Sequence, residues 1–260
     1  MPKTISSTQN PAIKSLLKLK DKARERKKTG LFVVEGIRET QMALQNGYEV
    51  EKIYIQSEIF KSNQIDLSDD QTISLSPEVY NKVAYRGSTE GIIAVLRSKT
   101  HALNDLKLTD NPLILIAEAP EKPGNIGALL RTADAAGIDA VFIANPKSDL
   151  YNPNIIRSSV GCVFTQNIVI ESSTEIIKYL YKKNIKIFTA ALEDDAQNYL
   201  AEDYTGPSAI VVGTESTGLS DEWLNAGQSI IIPMRGKIDS MNVSVASSVI
   251  IFEAVRQRSK

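Results

Sequence analysis

LILIAEAPEKPGNIGALLRTADAAG, Leu113 to Gly137, opens on an unbroken aliphatic run, turns through a loop holding proline and glycine, and resumes with apolar residues at helical spacing. An aliphatic run without alternation suits a strand covered on both faces of a parallel sheet. AVFIA (140–144), NIVI (167–170), KIFTAA (186–191), AIVVG (209–213) and SIIIP (229–233) repeat the signal, with helix-like stretches between them. From Pro112 onward the expectation is therefore an α/β domain on a parallel sheet. Ligands of such sheets gather at the carboxyl ends of strands, where the loops begin.

Three of those loops hold glycine or a helix-capping residue. In the first, Gly124 and Gly127 precede ALLRTADAAG, so backbone N–H groups at a helix start could face a ligand. The loop lacks G-x-G-x-x-G, and no lysine follows its glycines. Asn125 reads equally as a ligand contact or a turn residue, and Arg131 as a ligand contact or a surface partner of Asp134 at i+3. The second loop, AIVVGTESTGLSDEW (209–223), has the glycine spacing of a phosphate-binding loop at Gly213 and Gly218, but Leu219 stands where the lysine belongs. Glu215 within it would repel phosphate. Its carboxylate suits orienting a cation, accepting hydrogen bonds or capping the loop. In the third, SIIIPMRGKIDSMNVSVASSVIIFEAV (229–255), Ser240 or Asn242 is a natural N-cap, and Ser244, Ala246, Ser247 and Ser248 allow close approach of a backbone or a ligand.

The first hundred residues alternate between helix and strand signals. PAIKSLLKLKDKARERKK (11–28) predicts one amphipathic helix ending at Thr29-Gly30. LFVVEG predicts a strand, IRETQMALQNG a helix closed by Gly47, and EKIYIQ a second strand; TISL, PEVYNKVAY and GIIAVLR continue the scheme. The organisation read from this is a small α/β domain over 1–98, a polar linker over 99–111, and the larger domain over 112–260.

With 260 residues and 42% hydrophobic content the chain can build a proper core. No apolar stretch approaches the roughly 20 residues needed to span a bilayer, and MPKTISSTQNPAIK is not of signal-peptide type, so a cytoplasmic protein without membrane attachment is expected. One cysteine, Cys162, and one histidine, His101, cannot form an internal disulfide or a Cys/His zinc site. His101 lies in the linker and reads as solvated, and no metal is expected. The net charge of −1 hides an asymmetry: Lys14, Lys18, Lys22, Arg24, Arg26, Lys27 and Lys28 crowd the first thirty residues, opposed by Asp21 and Glu25. Such a run is either a solvated helix face or a surface for a nucleic-acid backbone.

Together, PGNIGALLRTADAAG, VVGTESTGLS and IPMRGKIDSMNVSVASSV resemble, in order and spacing, the three motifs of the SpoU (TrmH-type) RNA ribose 2′-O-methyltransferases of the SPOUT superfamily. STQNPAIKSLLKLKDKARERKKTGLFVVEG resembles the start of the L30e-like substrate-binding domain that many members carry. The resemblance implies a C-terminal α/β-knot domain with a trefoil knot, and S-adenosylmethionine as cofactor, a sulfonium with no phosphate to cradle. It implies main-chain cofactor contacts at Gly213, Ile232 and Met241, with Glu215 ordering the knot loop. Asn125, Arg131, Ser240 and Asn242 match the polar positions around the transferred methyl and the ribose. Arg131 would grip the phosphate beside the target ribose and stabilise the developing alkoxide. A guanidinium with a pKa above roughly 12 is a poor general base. The resemblance also implies RNA, ribosomal ahead of transfer, as the partner; it strengthens the RNA reading of the basic helix and implies a homodimer through the knotted domain. Ser216 departs from the pattern, which has glycine after the glutamate. If that position needs positive φ, Ser216 is strained. A non-catalytic RNA-binding protein with a decayed methyltransferase domain is the competing expectation.

Overall fold

The computed structural model describes residues 3–61, 65, 68, 70–85 and 90–259. The chain forms two compact units, residues 1–100 with 149–165, and residues 101–148 with 166–260.

In the first unit the helix expected over 11–28 is two. α1 (Pro11–Asp21) and α2 (Ala23–Thr29) follow β1 (Lys3–Ile5) and part at Lys22, whose φ of −121° and ψ of 109° are extended. The cause is Arg26: its Nη1 donates to the carbonyls of Leu19 at 2.7 Å and Lys20 at 3.0 Å, acceptors that a continuing helix would have used, while its Nε pairs with Asp149. The expected stop holds, with Gly30 in the left-handed region at φ 66°. β2 (Leu31–Glu35), α3 (Ile37–Gln45), β3 (Val50–Ile55), β4 (Thr72–Leu75), α4 (Pro77–Val83) and β5 (Ile92–Arg97) complete the run. The strands make one sheet in the order β1-β4-β3-β5-β2, with β5 antiparallel to both its neighbours. α1 buries Ile13, Leu16 and Leu19 in a core shared with Val33, Tyr54 and Val79.

The second unit begins with β6 (Leu113–Glu118), α5 (Pro123–Ala136) and β7 (Ala140–Ala144). The chain then returns to the first unit over 149–165, including α6 (Pro153–Ser158), where Tyr151 stacks on Phe32 at 4.2 Å and Phe164 meets Tyr48 edge-on at 5.0 Å. Arg26 and Asp149 therefore bind this segment to its own unit, with side chains 5% and 12% exposed. Removing one partner of such a pair leaves the other charge without compensation, a cost of about 3 kcal/mol. Arg26→Met is expected to destabilise the first unit by that amount, read from urea unfolding.

β8 (Ile168–Glu171), α7 (Ser173–Lys182), β9 (Lys186–Ala190), β10 (Gln197–Asn198), β11 (Ser208–Val212), α8 (Asp221–Leu224), β12 (Gln228–Ile231) and α9 (Val243–Arg258) finish the chain. The seven strands pair in parallel throughout, in the order β10-β12-β9-β11-β6-β7-β8. β6, β7 and β11 are buried at every position, which is why their sequences do not alternate. His101 is half-buried, not a solvated linker residue, and its carbonyl accepts from the Ile170 N–H at 2.9 Å. Among the described residues no helix is long and apolar enough to cross a membrane.

Strand order fixes where a ligand can sit. β6 is followed by a strand on one side of it, and neighbouring β11 by a strand on the other, so the two share a topological switch point. Val212 pairs with Ala117, which sets Gly213 and Glu118 side by side at the carboxyl edge.

Candidate functional site

At that edge the three loops of the sequence meet. Asn125, in the first turn of α5, donates from Nδ2 to Glu215 Oε1 at 2.9 Å. Asn242 Nδ2 donates to the same oxygen at 2.6 Å and stands 3.3 Å from Asn125 Oδ1. Glu215 Oε2 pairs with the ammonium of Lys122. Glu215 is thus a junction between loops, not a cap for its own turn. Asn242 also caps α9, its Oδ1 accepting from the Ser244 N–H at 3.0 Å, so one side chain fixes a helix start and the junction together.

The donors hold the Glu215 carboxyl below its ordinary range, the hydrogen bond from Lys122 first and that from Asn125 second. A depressed acid favours the folded state above its ordinary value of 4.5, and that contribution is lost as pH falls through the lowered value. The junction therefore stays charged across the neutral range.

The second loop closes as a tight hairpin, Thr214 N–H to Gly218 carbonyl at 3.0 Å and the reverse at 3.2 Å. Gly218 takes the left-handed conformation, φ 67°, while Ser216 is absent from the residues with positive φ. The strain anticipated at Ser216 does not arise, because the position that needs glycine is two residues later.

Behind the junction lies a cavity of about 660 Å³, within the size range of small-molecule sites. Gly213, Ile232, Ser240 and Met241 line it, with Glu215 and Asn242 at its polar side. Among the described residues its charged lining side chains are Glu193, Glu215 and Asp239, of which Glu215 is paired with Lys122 beside the cavity. That charge set repels phosphate and suits a cationic ligand such as a sulfonium. The residues present therefore fit S-adenosylmethionine. A smaller cavity of about 100 Å³, lined by Pro120, Lys122, Asn125, Glu215 and Val243, adjoins it.

Arg131 is not in this cluster. It is exposed, lines neither cavity, and its side chain has no hydrogen-bond or ionic partner among the described residues; the pair with Asp134 that its spacing allowed is not formed. Ser240 Oγ bonds to Asp239 Oδ1 at 3.1 Å. Of the basic residues, Lys14, Lys18, Lys22, Arg24, Lys27 and Lys28 are exposed, as a binding face requires. Arg26 is a correction: it is buried and committed to Asp149 and two carbonyls, so it cannot serve RNA.

Two residues of the site escaped the sequence reading. Lys122 drew no attention because its partner is 93 positions away. Glu118 is 6% exposed at the end of β6 and accepts from the Ser220 N–H at 2.8 Å and the Ser220 hydroxyl at 2.7 Å, anchoring the exit of the second loop. Its place as the last residue of an otherwise aliphatic strand was the signal that could have found it. Glu118→Gln turns one acceptor into a donor facing donors. It is expected to cost about 2 kcal/mol in urea unfolding.

A loop junction beside a cation-suited cavity at the switch point of a parallel sheet matches known proteins. The model of the SpoU rRNA methylase family matches residues 112–252, and that of the MRM3-like substrate binding domain matches residues 10–94. The chain belongs to the SpoU rRNA methylase family. It is 28% identical over 96% of its length to the 23S rRNA (guanosine(2553)-2′-O)-methyltransferase RlmP of Bacillus subtilis, covering 98% of that protein. A crystal structure of an RNA 2′-O ribose methyltransferase superposes with a TM-score of 0.83 at 35% identity, over 99% of this chain and 100% of the other. The SpoU methyltransferase AviRb from Streptomyces viridochromogenes, in complex with AdoMet, gives 0.86 at 25% identity, over 96% and 99%.

Proposed function

We propose that the protein transfers a methyl group from S-adenosylmethionine to a ribose 2′-hydroxyl of RNA, ribosomal RNA ahead of transfer RNA. The observation that carries this is the Glu215 junction, where residues of three separate motifs meet at the rim of a cavity suited to a cation. When bound, S-adenosylmethionine supplies an electrophilic methyl. Gly213, Ile232 and Met241 hold it through main-chain groups, and Glu215 keeps the loop in the shape that admits it. Asn125, which lines the smaller cavity, and Ser240 and Asn242, which line the larger, orient the acceptor ribose where the two adjoin. Arg131 grips the phosphate beside it and stabilises the alkoxide as the proton leaves to a phosphate oxygen or water. Positioning and electrostatics supply the acceleration.

The preference for ribosomal RNA is supported by the near end-to-end likeness to a protein named for that substrate. The first unit is the RNA-binding part, through Lys14, Lys18, Lys22, Arg24, Lys27 and Lys28. The working form is a homodimer through the second unit, in which the second and third motifs form the knot. α9 supports this: Val245 and Phe252, seven positions apart on one face, are 50% and 48% exposed. A dimer also gives the isolated Arg131 a partner's site to reach. The protein acts in the cytoplasm. The test is transfer of label from methyl-tritiated S-adenosylmethionine into RNA, with alkali-resistant label as the expected result. Label confined to bases would sink the ribose assignment.

A further inference from the structure

The first unit has a cavity of its own, about 440 Å³, which shares no lining residue with those of the second. Tyr85 forms part of its wall and is 43% exposed, with the Arg157 guanidinium 3.9 Å from its ring centroid and Lys20 Nζ at 5.5 Å. Lys20, Arg38, Arg157, Glu35, Glu39 and Glu90 all line it, Lys20 beside Glu35 and Arg38 paired with Glu39, so its formal charges cancel. A site for phosphate alone would not hold three carboxylates. A site for an apolar ligand would not hold six charges. One ligand has uses for both signs and for a ring: a nucleotide, whose base stacks on tyrosine or arginine planes, whose edge donates to carboxylates and whose phosphate meets the cations.

The carboxylates narrow the base. Ionised, they only accept, so they match an edge with adjacent N–H donors. Guanine has that edge, in N1–H and the N2 amino group, while adenine, cytosine and uracil set acceptors beside their donors. Glu35 and Glu39 are both deep, their side chains 16% and 12% exposed, and Glu39 is taken by Arg38 at 2.7 Å, which leaves Glu35, at the carboxyl end of β2, as the carboxylate for the base. It accepts from the Tyr85 N–H at 2.9 Å and stands 3.6 Å from Lys20 Nζ, which is itself held by the Val83 carbonyl at 2.6 Å. Burial raises the Glu35 carboxyl above its ordinary range despite these partners, so a further pair of donors would stabilise its charge.

We propose that this cavity binds one unpaired guanine nucleotide of the RNA substrate, with the base against Tyr85 and Arg157 and its Watson–Crick edge on Glu35. The proposal rests on the RNA reading above and deepens it.

The test measures binding of the full chain to a fluorescein-labelled ten-nucleotide single-stranded RNA with one guanosine among uridines, and to the same strand with inosine or adenosine in its place. Inosine lacks only the N2 amino group. The expected result is roughly tenfold tighter binding of the guanosine strand. Tyr85→Ala should abolish that preference, Tyr85→Phe should keep it, and Glu35→Gln should lose it while the protein still melts cooperatively well above the assay temperature. Equal affinity for all three strands, or a preference that survives both Tyr85→Ala and Glu35→Gln, overturns the pocket while leaving methyl transfer untouched. Displacement by an arginine-rich peptide but not by guanosine monophosphate would also overturn it, in favour of a protein partner. Methyl transfer that fails with every RNA, while the guanosine preference holds, would instead sink the activity.

Discussion

Arg131→Ala is expected to lower the rate of methyl transfer by about 10²–10³-fold, the size of effect seen when one preorganised donor is taken from a developing oxyanion. Cofactor affinity should change less than about twofold, because Arg131 does not line the cavity that suits the cofactor. It stands six positions along the helix from Asn125, an axial rise of about 9 Å, and its side chain has no partner among the described residues. An exposed arginine with nothing to hold is poorly explained by stability and well explained by a substrate that is itself an anion. Arg131→Lys keeps the charge and loses the bidentate fork. It should weaken RNA binding and leave the rate–pH profile flat over pH 6–9. A profile that acquires a new basic limb in the lysine variant would instead assign the proton to this position. If the arginine serves a partner's site, mixing Arg131→Ala with Asn242→Ala should restore part of the activity that each lacks.

The second large effect is expected at Gly213. A β-carbon there would lie 2.3 Å from the carbonyl carbon and oxygen of Gly218 and 2.6 Å from the Leu219 nitrogen, all backbone atoms of the same hairpin. Backbone cannot step aside as a flexible side chain can, so Gly213→Ala must open the hairpin that holds Glu215 over the cavity. Calorimetric titration with S-adenosylmethionine should show at least about a hundredfold loss of affinity, and unfolding a cost of about 1–3 kcal/mol from overpacking. Ser216→Gly is the matched control. Ser216 has no positive φ to relieve, so affinity should stay within about twofold. A gain of tenfold or more from Ser216→Gly would show that the loop is strained after all.

Six strands of the second unit were legible because each is a short, largely buried aliphatic run, a signal that needs no knowledge of partners; β10, the exposed pair Gln197–Asn198, carries no such signal. The capping role of Asn242 and the closing glycines Gly30 and Gly47 were legible for the same reason, since their geometry is set within a few residues. The break at Lys22 was not. Arg26 imposes it by reaching Asp149, 123 positions away, and nothing local in ARERKK marks it as a burial site. The return of 149–165 to the first unit was equally hidden, because it depends on Tyr151 and Phe164 finding Phe32 and Tyr48. Asn125 and Glu215 were recognisable from motif spacing, yet their direct contact, and the part of Lys122 in it, arise from β6 and β11 being neighbours in the sheet. The pattern singled the residues out; strand order decided which of them touch.

The most direct measurement is mass spectrometry of nucleosides from RNA incubated with the protein and S-adenosylmethionine bearing a trideuterated methyl. The RNA should come from cells lacking the gene. A trideuterated 2′-O-methylnucleoside at a single position, absent with Arg131→Ala, is the predicted result. A trideuterated base-methylated nucleoside, or no transfer by protein that binds the cofactor, would contradict it.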